Sequence, residues 1–344
     1  MYKQYGKLIY IYDLDNHKKI TDISDSNEEL LNNKKNVLCF KIIKKEDFMY
    51  NDKNISFEIF PWKTYYKINK ELVSRNNDNT KNTAWHHWNY FGRNEERAFS
   101  YINNTNVHRA RFGNLFFLNM CLHFFSIKYN LKSSYKYKKE FNELGINFHK
   151  GDNIYKKNYL LTDYNFEDLL HINAKPKNII INNDVWFHTS SFCKSIQKYF
   201  KKNKIFEKVM NKNYYKDRYN NNNDLFIHVR LGDVENRTKK ILSYFDNTIE
   251  SVKFNKGYIA SDNINHDICI YLSKKYNLTF INENEVRTIM FGSTCNNIIL
   301  SGGTFSWLIG FLAIKSKNIF YPEIQDRWYG DIFNFSNWIQ IKTY

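Results

Sequence analysis

The chain has 344 residues, with 51 Lys and Arg against 35 Asp and Glu, and a formal net charge of +16. Hydrophobic residues make up 42% and aromatic residues 18%, enough apolar mass for one large or two ordinary cores, so wholesale disorder is excluded. Only 12 Gly and 3 Pro are present, which excludes collagen-like and Pro-rich linker architectures.

Asn accounts for roughly one residue in seven. Together with abundant Lys, Ile and Tyr, this bias points to an AT-rich genome that raises the basic charge without a functional demand. So basic a chain also carries the footprint of a nucleic-acid binder, and both readings stand on composition alone.

The first 105 residues mix short strand-like runs at 8–12, 37–43 and 55–60 with polar loops. Two polar stretches, 74–83 and 211–224, divide the chain, and the second is the better boundary because a strongly apolar segment follows it. Residues 107–220 read as mostly helical: a long apolar helix at 114–130, a short one at 167–171 and a Lys-rich one at 190–211, with a strand at 178–181. The apolar run at 115–127 is too short for a membrane span and carries Asn119 and His123.

After residue 224 the pattern becomes regular. Strands are expected at 225–230, 257–260, 278–281, 297–300 and 318–321, with helices at 265–276, 285–295 and 304–314 between them. Such alternation argues for a parallel sheet with right-handed crossovers, a Rossmann-like domain. Cys39, Cys121, Cys193, Cys269 and Cys295 are odd in number, widely spaced and without a CxxC pair. They read as core thiols of a protein from a reducing compartment, with no zinc site and no disulfide framework. No signal peptide is expected, because Asp13 and Asp15 interrupt the first apolar run.

Open parallel sheets bind ligands beyond the carboxyl ends of their strands. At the first such end, His228 and Arg230 share a face, since strand side chains alternate with period two. An Arg fork there suits a phosphate; a strand-end ion pair between Arg230 and Asp233 is the alternative. At the second, Asp262 could accept donors from a base or ribose, or cap the following helix. At the third, Gly302 and Gly303 precede Thr304, Phe305 and Ser306 at a helix start, a ready anion cradle or an ordinary Gly turn and cap. Together the three strand ends would hold a nucleotide diphosphate, with Arg230 neutralising the charge.

These segments resemble a known family. IHVRLGD is similar to the HxRRGD-type motif of the fucosyltransferase superfamily, especially the α-1,2-fucosyltransferases of glycosyltransferase family 11. YIASDN resembles the second motif, and IILSGGTFSWLIGFLA is similar to the family's IIANSTFSWWGAWL. Arg111, Phe112, Gly113 and Asn114 resemble its G-R-x-G-N loop, and the stretches 185–200 and 334–341 resemble later segments, so the likeness runs in order over about residues 107–342. It implies an α/β fold of the GT-B type: two Rossmann-like domains, at 106–222 on the acceptor side and 223–344 on the GDP-sugar side, after an N-terminal region, 1–105, of unassigned role.

The resemblance further implies an inverting, metal-independent transfer of fucose from GDP-fucose to a glycan hydroxyl, α-1,2 to galactose. By matching positions, Arg230 would bind the β-phosphate, His228 would contact the nucleotide and Asp262 would pair with the guanine edge. Thr304, Phe305 and Ser306 would line the diphosphate and base, while Arg111, Gly113 and Asn114 would lie at the donor sugar from the other domain. Asp233 and Glu235 are the candidates for the general base that inverting transfer needs. Leu231, Asn263 and Ala110 depart from the family's second Arg, second Asp and first Gly, which bears on donor and linkage more than on fold.

Other readings compete. A transferase using another nucleotide sugar is one, and Asp13-Leu14-Asp15 offers the DxD spacing of a Mn²⁺-dependent GT-A enzyme. Too few residues precede the second region for that domain, so a turn is preferred. A catalytically inactive GDP-sugar or glycan-binding protein is another. A nucleic-acid binder could stack bases on Trp85, His86, His87 and Trp88, but basic residues are spread along the chain and a buried aromatic cluster is preferred. The absence of a leader or anchor, and a sequon at Asn236 just past Arg230, fit a cytoplasmic enzyme of a bacterium or virus, with room for peripheral membrane contact.

Overall fold

Apolar strands alternating with amphipathic helices after residue 224 build an all-parallel sheet of six strands. The computed structural model describes residues 11–13, 18–20, 37–39, 60, 62–68, 72, 80–92, 102–106, 108–181, 185–220, 222–231, 238–323 and 331–342. Asp15, Asp233, Glu235 and Asn236 lie outside the described residues, as do most of the runs expected at 8–12, 37–43 and 55–60.

In chain order the described elements begin with strands β1 (Ile11–Asp13), β2 (Lys18–Ile20) and β3 (Val37–Cys39), then helices α1 (Trp62–Ile68) and α2 (Lys81–His87), the latter continued by a π-helical turn, Trp88–Gly92. Next come α3 (Phe112–Tyr129), α4 (Lys138–Glu143), β4 (Asn158–Leu161), α5 (Phe166–His171) and β5 (Asn178–Ile181). Helices α6 (Ser190–Lys202) and α7 (Ile205–Lys212) follow. The C-terminal run is β6 (Leu225–Val229), α8 (Thr238–Glu250), β7 (Gly257–Ser261), α9 (Asp267–Tyr276), β8 (Leu278–Phe280) and α10 (Glu285–Gly292). It closes with β9 (Asn297–Ile299), α11 (Thr304–Leu312), β10 (Asn318–Pro322) and β11 (Trp338–Ile341).

The chain divides into two compact units. The first comprises Met1–Val107, Phe124–Ser134 and Lys150–Val185. It holds an antiparallel sheet in the order β2-β1-β3 and a parallel pair, β4-β5. Its aromatic core gathers Phe60, Tyr65, Tyr66 and Trp88 with Ile180. Trp85 packs edge-on against Phe60 at 5.4 Å, so the tryptophans of the WHHW run belong to a packed cluster, while His86 is exposed. Thr80 caps α2 by accepting the Thr83 N–H. Lys128 Nζ donates to the carbonyls of Leu169, Leu170 and Ile172, satisfying the open C-terminal end of α5.

The second unit comprises His108–His123, Tyr135–His149 and Trp186–Tyr344. Its sheet runs β11-β10-β9-β6-β7-β8. Counted from β6 as the first strand, that is the order 3-2-1-4-5-6 of a doubly wound nucleotide-type sheet, whose direction of winding reverses between β6 and β9. Strand β6 is buried along its whole length, as a central parallel strand must be. Beneath it Leu225, Ile227 and Val229 pack with Phe245, Ile259 and Leu272.

Several expectations change. The helix expected over 190–211 is two helices, broken where Lys204 takes φ 54°, a left-handed turn without the glycine that would have announced it. Strands β2, β4 and β11 and helices α1, α2, α4 and α8 have no counterpart among the expected elements. The thiols of Cys121, Cys193, Cys269 and Cys295 are free and buried. Among the described residues, no helix is long and apolar enough to cross a membrane.

Candidate functional site

The site is built where the sheet's winding reverses, at the carboxyl ends of β6 and β9, within the second unit. His228 sits near the end of β6, 6% exposed, with Nδ1 3.1 Å from Ser301 Oγ and 2.5 Å from Ser306 Oγ. The two hydroxyls lie 2.8 Å apart, and the Ser301 N–H donates to Ser306 Oγ at 3.1 Å. Burial pushes the imidazole down to about 4, against the raising effect of Asp262 and with a further lowering from Arg230. At neutral pH His228 is therefore an uncharged hydrogen-bonding ring. Phe305 packs on it with centroids 5.2 Å apart.

Arg230 follows the strand and lies over Gly303. A Cβ on Gly303 would stand 2.9 Å from Arg230 Nη1 and 3.1 Å from its Cδ, so the absence of a side chain there lets the guanidinium lie against the start of α11 in this position. Gly303 is the N-cap of α11, with no side-chain cap and no acidic residue in the first turn. Helix α3 also starts without an acidic residue in its first turn.

The two starts abut. A Cβ on Gly113 would fall 2.4 Å from the Phe305 N and 2.6 Å from the Thr304 carbonyl carbon. Asn114 Oδ1 accepts the Thr304 hydroxyl at 2.5 Å, and Phe112 meets Phe305 at 6.4 Å. One turn further on, Phe117 packs against Trp307 at 4.8 Å. Each helix start carries about half a positive charge. Two such ends side by side, with Arg230 and Arg111 beside them and no first-turn carboxylate, make a concentrated demand for an anion.

Among the described residues, Asp262 supplies a carboxylate at this place. Its Oδ1 accepts the Leu231 N–H at 2.9 Å, and its Oδ2 lies 3.8 Å from Arg111 Nη1. It does not cap α9: His266 does, accepting the Ile268 N–H on Nδ1. The capping alternative for Asp262 is thereby corrected, because the N-cap position, His266, lies four residues beyond the carboxylate.

The structure thus brings together His228, Arg230, Asp262, Thr304, Phe305, Ser306, Arg111, Gly113 and Asn114. Arg111, Gly113 and Asn114, expected on a separate domain, belong to the same compact unit as the sheet. Asp233 and Glu235 lie outside the described residues. Sequence reasoning missed Ser301, whose hydroxyl completes the His228 network; its place at the end of β9, five residues before Ser306, is the signal that would have found it.

No family model, no curated protein and no solved structure matches this chain.

Proposed function

We propose that the chain is a glycosyltransferase that moves a sugar from a nucleoside diphosphate carrier, GDP-fucose, to a hydroxyl of a glycan acceptor, with inversion and without a metal. The observation that carries this reading is the pairing of two abutting helix starts, neither with an acidic residue in its first turn, with Arg230 at the winding reversal of a doubly wound sheet. That arrangement supplies, from backbone dipoles and a guanidinium, the positive charge a leaving diphosphate needs. The proposal extends to a two-domain GT-B arrangement, and its support is the C-terminal parallel sheet.

In the proposed reaction the acceptor oxygen attacks the anomeric carbon and the bond from that carbon to the β-phosphate oxygen breaks. GDP departs with the electron pair, and the acceptor's proton passes to a carboxylate, for which Asp233 and Glu235 are the candidates. Arg230 holds the developing charge on the β-phosphate. His228, uncharged, offers a hydrogen bond at fixed geometry without competing as a second cation.

The test is thermal unfolding with GDP in the presence of a chelator. GDP at a hundred times its Kd stabilises by about 2.7 kcal/mol, and Arg230→Ala should abolish the shift. Stabilisation by UDP with Mn²⁺ but not by GDP would sink the proposal in favour of a DxD enzyme. Fucose transfer over a panel of β-galactosides then separates an active transferase from a GDP-binding protein without turnover.

A further inference from the structure

The position beside Arg230 holds no second guanidinium. Leu231 is 1% exposed and its side chain joins the core beneath the sheet, so this residue offers the site only its backbone. Its N–H is taken by Asp262 Oδ1. The second cation instead arrives from the start of α3, as Arg111, on the other oxygen of the same carboxylate. One side chain therefore ties together the end of β6, the end of β7 and the segment leading into α3.

The two halves of this tie differ in strength. The Leu231 bond, at 2.9 Å, is of ordinary hydrogen-bond length and fixes the backbone next to Arg230. The Arg111 contact is long, with side chains 59% and 33% exposed, and such ion pairs are readily exchanged for a better anion. A carboxylate that read guanine would face both oxygens to the base's adjacent N–H groups, and here Oδ1 already accepts the Leu231 N–H while Oδ2 faces Arg111.

We propose that Asp262 is a positioning residue rather than a base-reading one: it sets Arg230 and Arg111 as a two-arginine clamp for a diphosphate, and Arg111 leaves it for a phosphate oxygen when the ligand binds. The diphosphate ligand rests on the proposed function, whereas the clamp itself is separable from the identity of the nucleotide.

Titration calorimetry with inorganic pyrophosphate, GDP and ADP tests it on the full chain. Asp262→Asn keeps an acceptor for the Leu231 N–H but removes the charge that holds Arg111, so all three affinities should shift by one common factor with the GDP-to-ADP ratio unchanged. Asp262→Ala leaves that N–H without its partner, and all three ligands should weaken by one common factor of about tenfold. Arg111→Gln should weaken pyrophosphate by about tenfold and flatten the salt dependence of binding, a readout that holds even where Asp262→Ala does not fold. Loss of the GDP preference in Asp262→Asn with pyrophosphate binding intact would overturn the proposal, as would unchanged pyrophosphate affinity in Arg111→Gln or no pyrophosphate binding by the wild type. Wild-type chain that binds pyrophosphate but gains nothing from GDP would sink the GDP-sugar reading and leave the clamp standing.

Discussion

Adding one methyl group at Gly113 should dismantle the site. The ideal Cβ lies 2.4 Å from Phe305 N, 2.6 Å from the Thr304 carbonyl carbon and 2.8 Å from Phe305 Cα, where ordinary contact begins at 3.4 Å. All three atoms are backbone, so no rotamer can move aside, and the starts of α3 and α11 would have to part by roughly 1 Å. Overpacking of this kind costs about 1–3 kcal/mol, and the rigid backbone puts Gly113→Ala at the upper end. For a unit of this size about 3 kcal/mol lowers Tm by roughly 6–12 °C. Gly257→Ala is the matched comparison. Its Cβ would meet Leu278 Cδ2 at 2.3 Å and Phe254 Cε2 at 3.0 Å, side-chain ends that can turn away, so its cost should stay near about 1 kcal/mol. Urea unfolding of both variants, with GDP-induced stabilisation as a second readout, checks the argument. Were Gly113→Ala to cost no more than Gly257→Ala, or to keep its full response to GDP, the close abutment of the two helices would not be what shapes the site.

Burial holds His123 and His188 each at about 3 and His228 at about 4, with His149 lowering His123 further. Each takes up its proton more readily unfolded, near 6.5, so stability should be complete above that pH and fall as the pH drops from about 6.5 toward 3; His188→Phe should make the slope of urea stability between pH 7 and 5 measurably shallower. Lys128→Met, which strips the ammonium from three carbonyls at the end of α5, should cost about 2 kcal/mol in urea unfolding; a loss below about 0.5 kcal/mol would show that water replaces it freely. Trp307→Phe removes the indole donor to the Ile332 carbonyl and opens a small void, for about 2 kcal/mol by the same measurement.

The sequence announced most of the C-terminal sheet because its central strands are apolar on both faces and short helices separate them. Leu225–Val229 and Asn318–Pro322 lie within a residue of their expected bounds for that reason. β11 escaped notice because an edge strand needs no apolar pattern: Trp338–Ile341 carries no fully buried residue. β4 (Asn-Tyr-Leu-Leu) lacks the run of β-branched residues that marks β5, and α8 opens on Thr-Lys-Lys, so neither stands out in the sequence. At the site, the residue types were legible one strand end at a time. What could not be read was the pairing across sequence, since Asn114 meets Thr304 at a separation of 190 residues and no local pattern records it. The break at Lys204 was silent for a different reason: its left-handed backbone falls on a residue that gives no hint of it.

That long separation has a kinetic side. The bond from Thr304 to Asn114 closes a loop of 190 residues, whereas β6 and β7 pair through a connection of a single helix. Loop-closure entropy rises with length and non-local contacts form late. The sheet and its reversal can therefore assemble while the second helix start is still absent. In refolding, the return of the proposed anion binding should lag the assembly of the sheet and report that the start of α3 has docked against α11.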